Sequence, residues 1–241
     1  MQHSSFQAIG GGSRRVGTPT STGDASRLAP VSIIPGFRAL AVAALTVRAQ
    51  RDAEIVAQGD RADHCYLVIS GCLRTVTLME DGRRQVGSFL MAGDLLGWEL
   101  MGDYDVAAEA VTPVALRRIS ISSLEILAER DLSFARRLRR MGADQLRAAR
   151  ERMVLLGRKT ALERIATFLT EMAMRLPADS RGNITLPMGR TDIADHLGLT
   201  VETVCRGLTQ LRRRGTIALD RQDFRVLDRG ALDAAVYQTI H

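Results

Sequence analysis

The 26 residues DLSFARRLRRMGADQLRAARERMVLL, positions 131–156, contain no proline and a single glycine. A stretch of this kind reads as one helix, long for a globular domain. Within it Gly142, Leu146, Ala149, Met153 and Leu156 recur at alternating steps of four and three, with arginine on the flanks. That spacing is a heptad seam. A helix packed on its own chain would show the same spacing. The length and the charged flanks favour a seam between two copies, with Leu146, Ala149, Met153 and Leu156 as the dimerisation residues. A chain built around such a helix is expected to divide on either side of it.

The two sides differ in texture. From about 48 to 120 the sequence has short β-prone runs punctuated by glycine: HCYLVISGCLRTVTLMEDGRRQVGSFLMAGDLLGWEL, then AAEAVTPVALRRISI. Leu73, Thr75 and Thr77 alternate with Arg74, Val76 and Leu78, and EDG at 80–82 signals a hairpin turn. Gly71, Gly87, Gly93 and Gly97 sit where a small barrel or jelly roll turns or bulges. ISSLEILAER and ALERIATFLTEMAMRL read as helices on either side of the long one. Residues 37–45, FRALAVAAL, read as a short helix. Residues 1 to about 30, rich in Gly, Ser, Thr and Arg, bury too little apolar surface to offset ordering and are expected to be a disordered tail.

The last third carries the most specific pattern, TDIADHLGLTVETVCRGLTQLRRRG followed by TIALD and FRVLD. It parses as helix, tight turn, helix and β-wing. Thr191 is the expected N-cap of the first helix, with Asp192 in its first turn. Ile193 and Leu197 face inward, Ala194 is small where two helices cross, and Gly198 takes the turn. Thr200 caps the second helix, whose buried stripe is Val204, Leu208 and Leu211. Ala194, Gly198 and Val204 stand at helix-turn-helix spacing. Val201, Glu202, Cys205, Arg206 and Gln210 are left on the other face. They form either a solvated polar surface or a base-reading surface. A guanidinium suits guanine O6 and N7, a carboxylate accepts from cytosine N4, and a small apolar residue meets a thymine methyl. Thr200 and Arg212, Arg213 and Arg214 would bind phosphates.

Charge agrees with that reading. Lys and Arg total 33 against 27 for Asp and Glu, a net charge of +6. The excess favours a polyanion, nucleic acid before a membrane surface. The basic stripe RRLRR at 136–140 could serve a membrane surface, but it flanks the seam. No apolar run approaches the length that spans a bilayer, and the first residues lack the apolar core of a secretory signal, so a cytoplasmic location and no membrane partner are expected. The three cysteines, Cys65, Cys72 and Cys205, show no close CxxC spacing, which argues against a disulfide framework, a zinc finger or any other metal site. Cys65 and Cys72 are expected to be buried free thiols. A phosphate loop, a GxSxG elbow and an HExxH pair are all absent, and the four histidines are scattered, so no enzyme and no catalytic residue are expected. His196 is read as a phosphate neighbour or a surface residue.

LGLTVETVCRGL resembles the recognition element of the CRP/FNR superfamily of bacterial transcription regulators. It is most similar to the FNR/FixK branch, whose pattern of Glu, two residues, Ser and Arg appears here as Glu202, Thr203, Val204, Cys205 and Arg206. The resemblance covers about residues 45–228 and includes the glycine-bounded β-roll and the long helix. It implies an α+β chain: a disordered tail (1–30), a β-roll sensor-like domain of cyclic-nucleotide-binding type (31–130), a dimerisation helix (131–158) and a winged helix-turn-helix domain (159–241). It further implies a homodimeric activator that binds double-stranded DNA at TTGAT-N4-ATCAA and recruits RNA polymerase. Glu202 and Arg206 would read the G·C pair, Val201 the outer thymines, and the loop Glu80–Arg84 would meet polymerase.

The departures from the family pattern narrow the effector. GWELMGDYDVAAEAVT holds no arginine to compensate a cyclic phosphate, so cyclic AMP is not expected. None of the first 64 residues is cysteine, so an N-terminal iron–sulfur cluster is not expected either. No cofactor is the expectation. The alternative is a haem-dependent nitric-oxide or redox sensor of the same fold, with His64 as the one histidine of the β-roll able to ligate haem. Cys205 replaces the usual Ser. Oxidation there would add bulk and negative charge at the DNA face, although a plain small spacer fits the position equally well. Gly207 stands where the motif has an apolar residue, at a helix-propensity cost of about 1 kcal/mol.

Overall fold

A computed structural model describes residues 44–98 and 102–236. The expected tail lies outside the described residues, as does most of FRALAVAAL. Leu45, the last residue of that stretch, opens a strand instead of ending a helix, because the β-prone LTVRA that follows forms a ladder with a later strand.

Eight strands build the N-terminal unit: β1 (Leu45–Ala49), β2 (Glu54–Val56), β3 (His64–Ser70), β4 (Leu73–Leu78), β5 (Arg84–Leu90), β6 (Leu95–Leu96), β7 (Ala107–Ala110) and β8 (Val114–Ser120). They form two four-stranded antiparallel sheets, ordered β1-β8-β3-β6 and β2-β7-β4-β5. Val68, Leu73, Val76, Ala108, Ala110 and Leu116 close the interior completely. The alternation expected along β4 is broken: Thr75 and Val76 are both buried, because the register against β5 shifts between Arg74 and Val76. Such a bulge re-aims the side chains beyond it. Gly71 between β3 and β4 has φ +86, and a Cβ there would stand 2.3 Å from the Pro113 carbonyl oxygen. Only glycine fits that turn.

Helix α1 (Ile121–Arg130) follows, and Asp131 then caps α2 (Leu132–Arg158) by accepting from the Ser133 and Phe134 amides at 2.8 and 3.1 Å. The Ser133 hydroxyl, which donates to the same carboxylate at 2.6 Å, and then these amides hold the Asp131 carboxyl below its usual range. Helix α3 (Ala161–Arg175) opens on a capping box between Thr160 and Glu163, and buries Ile165, Phe168, Leu169 and Met172. The rest is β9 (Ile184–Thr185), α4 (Arg190–Leu197), α5 (Val201–Arg213), β10 (Ile217–Asp220), β11 (Asp223–Val226) and α6 (Arg229–Val236). The wing is a three-stranded sheet, β10-β11-β9, and its β9 edge carried no sequence signal.

Helix α4 starts earlier than expected. The Gly189 carbonyl accepts the first helical bond from the Ile193 amide at 3.1 Å, so Gly189, not Thr191, is the N-cap. Glycine contributes no side-chain bond to a cap, which is why the hydroxyl of Thr191 looked the better candidate.

One apolar cluster joins the two halves. Cys72, Val86, Phe89, Met91 and Val111 of the β-roll pack with Phe168, Leu169, Ile193 and Leu208 of the C-terminal unit. The rings of Phe89 and Phe168 meet edge-on at 6.3 Å. Cys65 and Cys72 are buried and form no disulfide, and burial pushes Cys72 up to about 12.

Candidate nucleic-acid interface

Helices α4 and α5 are joined through Gly198, whose backbone is left-handed (φ +62, ψ +44). The Leu199 amide turns back to the Ala194 carbonyl at 3.0 Å. Thr200 caps α5 by accepting from the Thr203 amide at 3.2 Å. Val204, Gly207, Leu208 and Leu211 face the core. Gly207 carries a physical reason for its missing side chain: a Cβ there would lie 2.4 Å from Ile165 Cδ1 on α3. Close crossing of two helices sets this residue against its own helix propensity.

The opposite face of α5 is open. Glu202, Cys205, Arg206, Gln210 and Arg212 to Arg214 are exposed, and Val201 is half-buried against the core. The Glu202 carboxyl is held below its usual range by its own backbone N–H and by the Thr200 hydroxyl, with Arg206 adding to the effect. It is therefore an ionised, acceptor-only group. Arg206 donates to the Thr203 hydroxyl at 3.2 Å, which leaves most of its five donors facing solvent. Arg190 of α4 lies within electrostatic reach of Cys205 and donates to the Arg221 carbonyl at the wing tip at 2.5 Å. Arg190 stands before the expected cap at Thr191, where no sequence signal marks a helix.

Other expected sites behave differently. His196 is buried, at 7 % exposure, and not on the surface. Its ring sits between Phe89 and Phe168, with centroids 5.0 and 5.8 Å away, and Arg152 approaches its Nε2 at 3.1 Å. Burial, and then the charge of Arg152, depress its pKa to about 3. His196 stands three residues after Ile193, a spacing that shares a helix face, and that signal outweighs its polarity. Arg152, read as a charged flank of the seam, instead donates to the Val86 and His196 carbonyls at 2.9 and 2.6 Å.

In the loop Glu80–Arg84, Glu80 to Arg83 are exposed. Arg84 turns away and forks to Asp192 and Asp195 of α4 at 3.0 and 2.8 Å. Arg74 joins Asp192 at 3.0 Å and Glu109 at 2.6 Å. Asp192, expected to act on its helix dipole, is one of four buried polar residues among those described, and is part of this cluster.

On α2, Leu146 is 53 % and Met153 74 % exposed. Ala149 is exposed as well, whereas Leu156 is half-buried beside the Gly198 turn. Gly142, the first seam position, backs onto Trp98 of the β-roll.

His64 opens β3 in a cleft of about 580 Å³ lined by Arg61, Asp63, Asp103, Ser120, Ser122 and Glu125. Burial and the nearby Arg118 lower its pKa. A porphyrin needs a broad apolar slot beside its ligand. Arg61, Asp63, Asp103 and Glu125 share this cleft with only Ala62 and Ile121 as apolar side chains, a poor fit to haem.

The comparisons with known proteins match this architecture along the chain. Residues 163–235 match the Crp-like helix-turn-helix domain, and residues 46–131 the cyclic nucleotide-binding domain. The nitrogen fixation regulation protein FixK of Azorhizobium caulinodans is 43% identical over 187 residues, spanning 76% of this chain and 75% of the relative. The protein of the same name from Rhizobium meliloti is 40% identical over 175 residues, spanning 73% and 78%. The chain belongs to the CRP/FNR family. Its likeness within that family is to FixK. The solved structure of FixK2 from Bradyrhizobium japonicum superposes with a TM-score of 0.78 at 40% identity, over 82% of this chain and 99% of that one. This CRP/FNR chain is accordingly a transcription regulator with a DNA-binding helix-turn-helix domain and a cyclic-nucleotide-binding-like β-roll. Its relatives are regulators and not enzymes. Among the described residues, no helix is long and apolar enough to cross a membrane.

Proposed function

We propose that the chain acts as a homodimer that reads a TTGAT-N4-ATCAA palindrome and activates transcription by recruiting RNA polymerase in the cytoplasm. The observation that carries this reading is the pair Glu202 and Arg206, one turn apart on the open face of a capped helix. In a major groove the carboxylate accepts from cytosine N4 while the guanidinium forks to guanine O6 and N7 of the same pair. Val201 would meet thymine methyls, Gln210 would add a further polar contact, and Thr200, Arg212, Arg213 and Arg214 would hold phosphates. Leu146, Ala149 and Met153 on the exposed face of α2 would form the seam with the second copy, with Leu156 at its inner end. Glu80 to Arg83 remain available for polymerase, with Arg84 withdrawn from that surface.

The protein would work without cyclic AMP, an iron–sulfur cluster or haem. In support, β7 presents Ala108 and Ala110 to the filled roll interior, and the one charge on that strand, Glu109, is taken up by Arg74. Selection of bound DNA from a random pool tests site, symmetry and spacing together. Recovery of the palindrome supports the reading, and a pool without dyad symmetry refutes it. Cys205 would make binding sensitive to oxidation, because it is exposed on the reading face. Peroxide should weaken DNA binding by the wild type and spare Cys205→Ser; equal sensitivity removes the role.

A further inference from the structure

The ion cluster between β-roll and α4 has no part in the reading face, and it is built with more care than a surface pair. Arg84 Nη2 bridges Asp192 Oδ1 at 3.0 Å and Asp195 Oδ2 at 2.8 Å, while its Nε also donates to Asp195 at 3.0 Å. Arg74, only 11 % exposed, donates to the same Asp192 oxygen at 3.0 Å and is braced from behind by Glu109. Gln85 Nε2 donates to the Asp195 carbonyl at 2.6 Å. Arg152 adds the third element, tying Val86 of β5 to His196 of α4. Every donor of the junction stands on the β-roll or on α2, and α4 supplies acceptors at the three positions Asp192, Asp195 and His196.

We propose that Arg84, Arg74, Asp192 and Asp195 are positioning residues for DNA binding: an ionic clamp that fixes the helix-turn-helix to its own β-roll, so that the two reading heads of a dimer stand at one set separation without a bound effector. The inference rests on the dimeric DNA reading above. Asp192 and Asp195 are three residues apart and share one face of α4, while Ile193, Ala194 and Leu197 bury the other face in the helix-turn-helix core. A force on the two carboxylates is therefore passed directly to the motif. Burial shields the pairs from salt, and a planar guanidinium bonded to two carboxylates resists rotation where a single contact would not. In the clamped arrangement Glu202, Arg206 and Arg212 to Arg214 remain exposed, so the clamp presents the reading face and does not mask it.

A rigid dimer must discriminate spacing, since one added base pair rotates a half-site by about 34° and shifts it by about 3.4 Å. The test uses full-length wild type, Arg84→Gln, Asp195→Asn, the double variant and Arg84→Lys. Each is titrated against palindromes with N3, N4 and N5 spacers and against a scrambled duplex. Wild type should favour N4 over N5 on the order of tenfold or more, the size of a mismatched base pair. Both neutral variants should lose most of that preference while still favouring palindrome over scrambled DNA. The double variant should be no worse than either single one, and Arg84→Lys should fall between. An unchanged N4-to-N5 ratio in the neutral variants overturns the clamp and leaves the DNA reading standing. A variant that had only lost folded protein would bind all spacers equally less and keep the wild-type ratio, which also counts against the clamp. A wild type indifferent to palindrome and scrambled duplex overturns the DNA reading, and the clamp with it.

Discussion

Arg206 and His196 are both basic residues of the helix-turn-helix, and their surroundings give them opposite roles. Arg206 is exposed, with most of its donors unspent, so its charge is available to DNA. Arg206→Ala should cost roughly 1–3 kcal/mol of specific affinity and relax selectivity at the guanine, as read by competition with single-base operator variants. His196 is buried and neutral, between two phenylalanine rings and beside Arg152. Its pKa is about 3 in the fold, against the ordinary value of 6.5. Between those values the unfolded chain binds a proton that the folded chain does not. Stability from this site is thus complete above pH 6.5 and is lost as pH falls through the window toward 3, at up to about 1.4 kcal/mol per pH unit. Urea midpoints measured from pH 7 to 4.5 should fall more steeply for wild type than for His196→Leu, after allowance for the variant's lower stability at pH 7. Parallel pH dependences would remove His196 as the cause.

Helix α2 shows why length alone does not define a partner. Of its residues only Phe134 is fully buried, and most helical stability comes from tertiary packing of an apolar face. The exposed apolar stripe Leu146 and Met153 needs a cover, and the heptad spacing suits a second copy. Leu146→Asp should convert a dimer into a monomer in sedimentation equilibrium, because it places a charge at the centre of the proposed seam; a dimer that survives it would refute the seam. The same helix also serves its own chain, through Gly142 against Trp98 and Arg152 against α4. The periodic pattern points to the proposed seam and is silent on these contacts, since contacts to other elements leave no regular spacing.

Over the whole molecule, one apolar cluster is shared by the two units. Phe89 of β5, 2 % exposed, lies at its centre against Phe168 and His196. Removing such a ring costs about 3–5 kcal/mol. Phe89→Ala should therefore lower the melting midpoint and split a single calorimetric transition into two, as the β-roll and the helix-turn-helix lose their common core. A single transition that merely moves to lower temperature would show that the units are coupled elsewhere. Removing a partner from the ion cluster at the same junction would leave a buried carboxylate under-compensated, at a cost of several kcal/mol.

The primary structure by itself determined the long helix, the β-rich stretch before it, the turn at Gly198, the cap at Thr200 and the exposure of Glu202, Cys205 and Arg206. All of these follow from local periodicity and from what a single residue does to its own backbone. It also carried the family resemblance, since the recognition residues are contiguous. Only the tertiary structure decided the fate of Arg84, Asp192, Asp195 and His196. Arg84 and Asp195 lie 111 positions apart, and no local pattern couples charges across such a separation. A lone aspartate in a first helical turn looks the same whether it faces water or an arginine from another domain. Gly207 makes the same point in reverse: its cost to the helix is legible in one dimension, and its reason, the Ile165 methyl on a crossing helix, exists only in three.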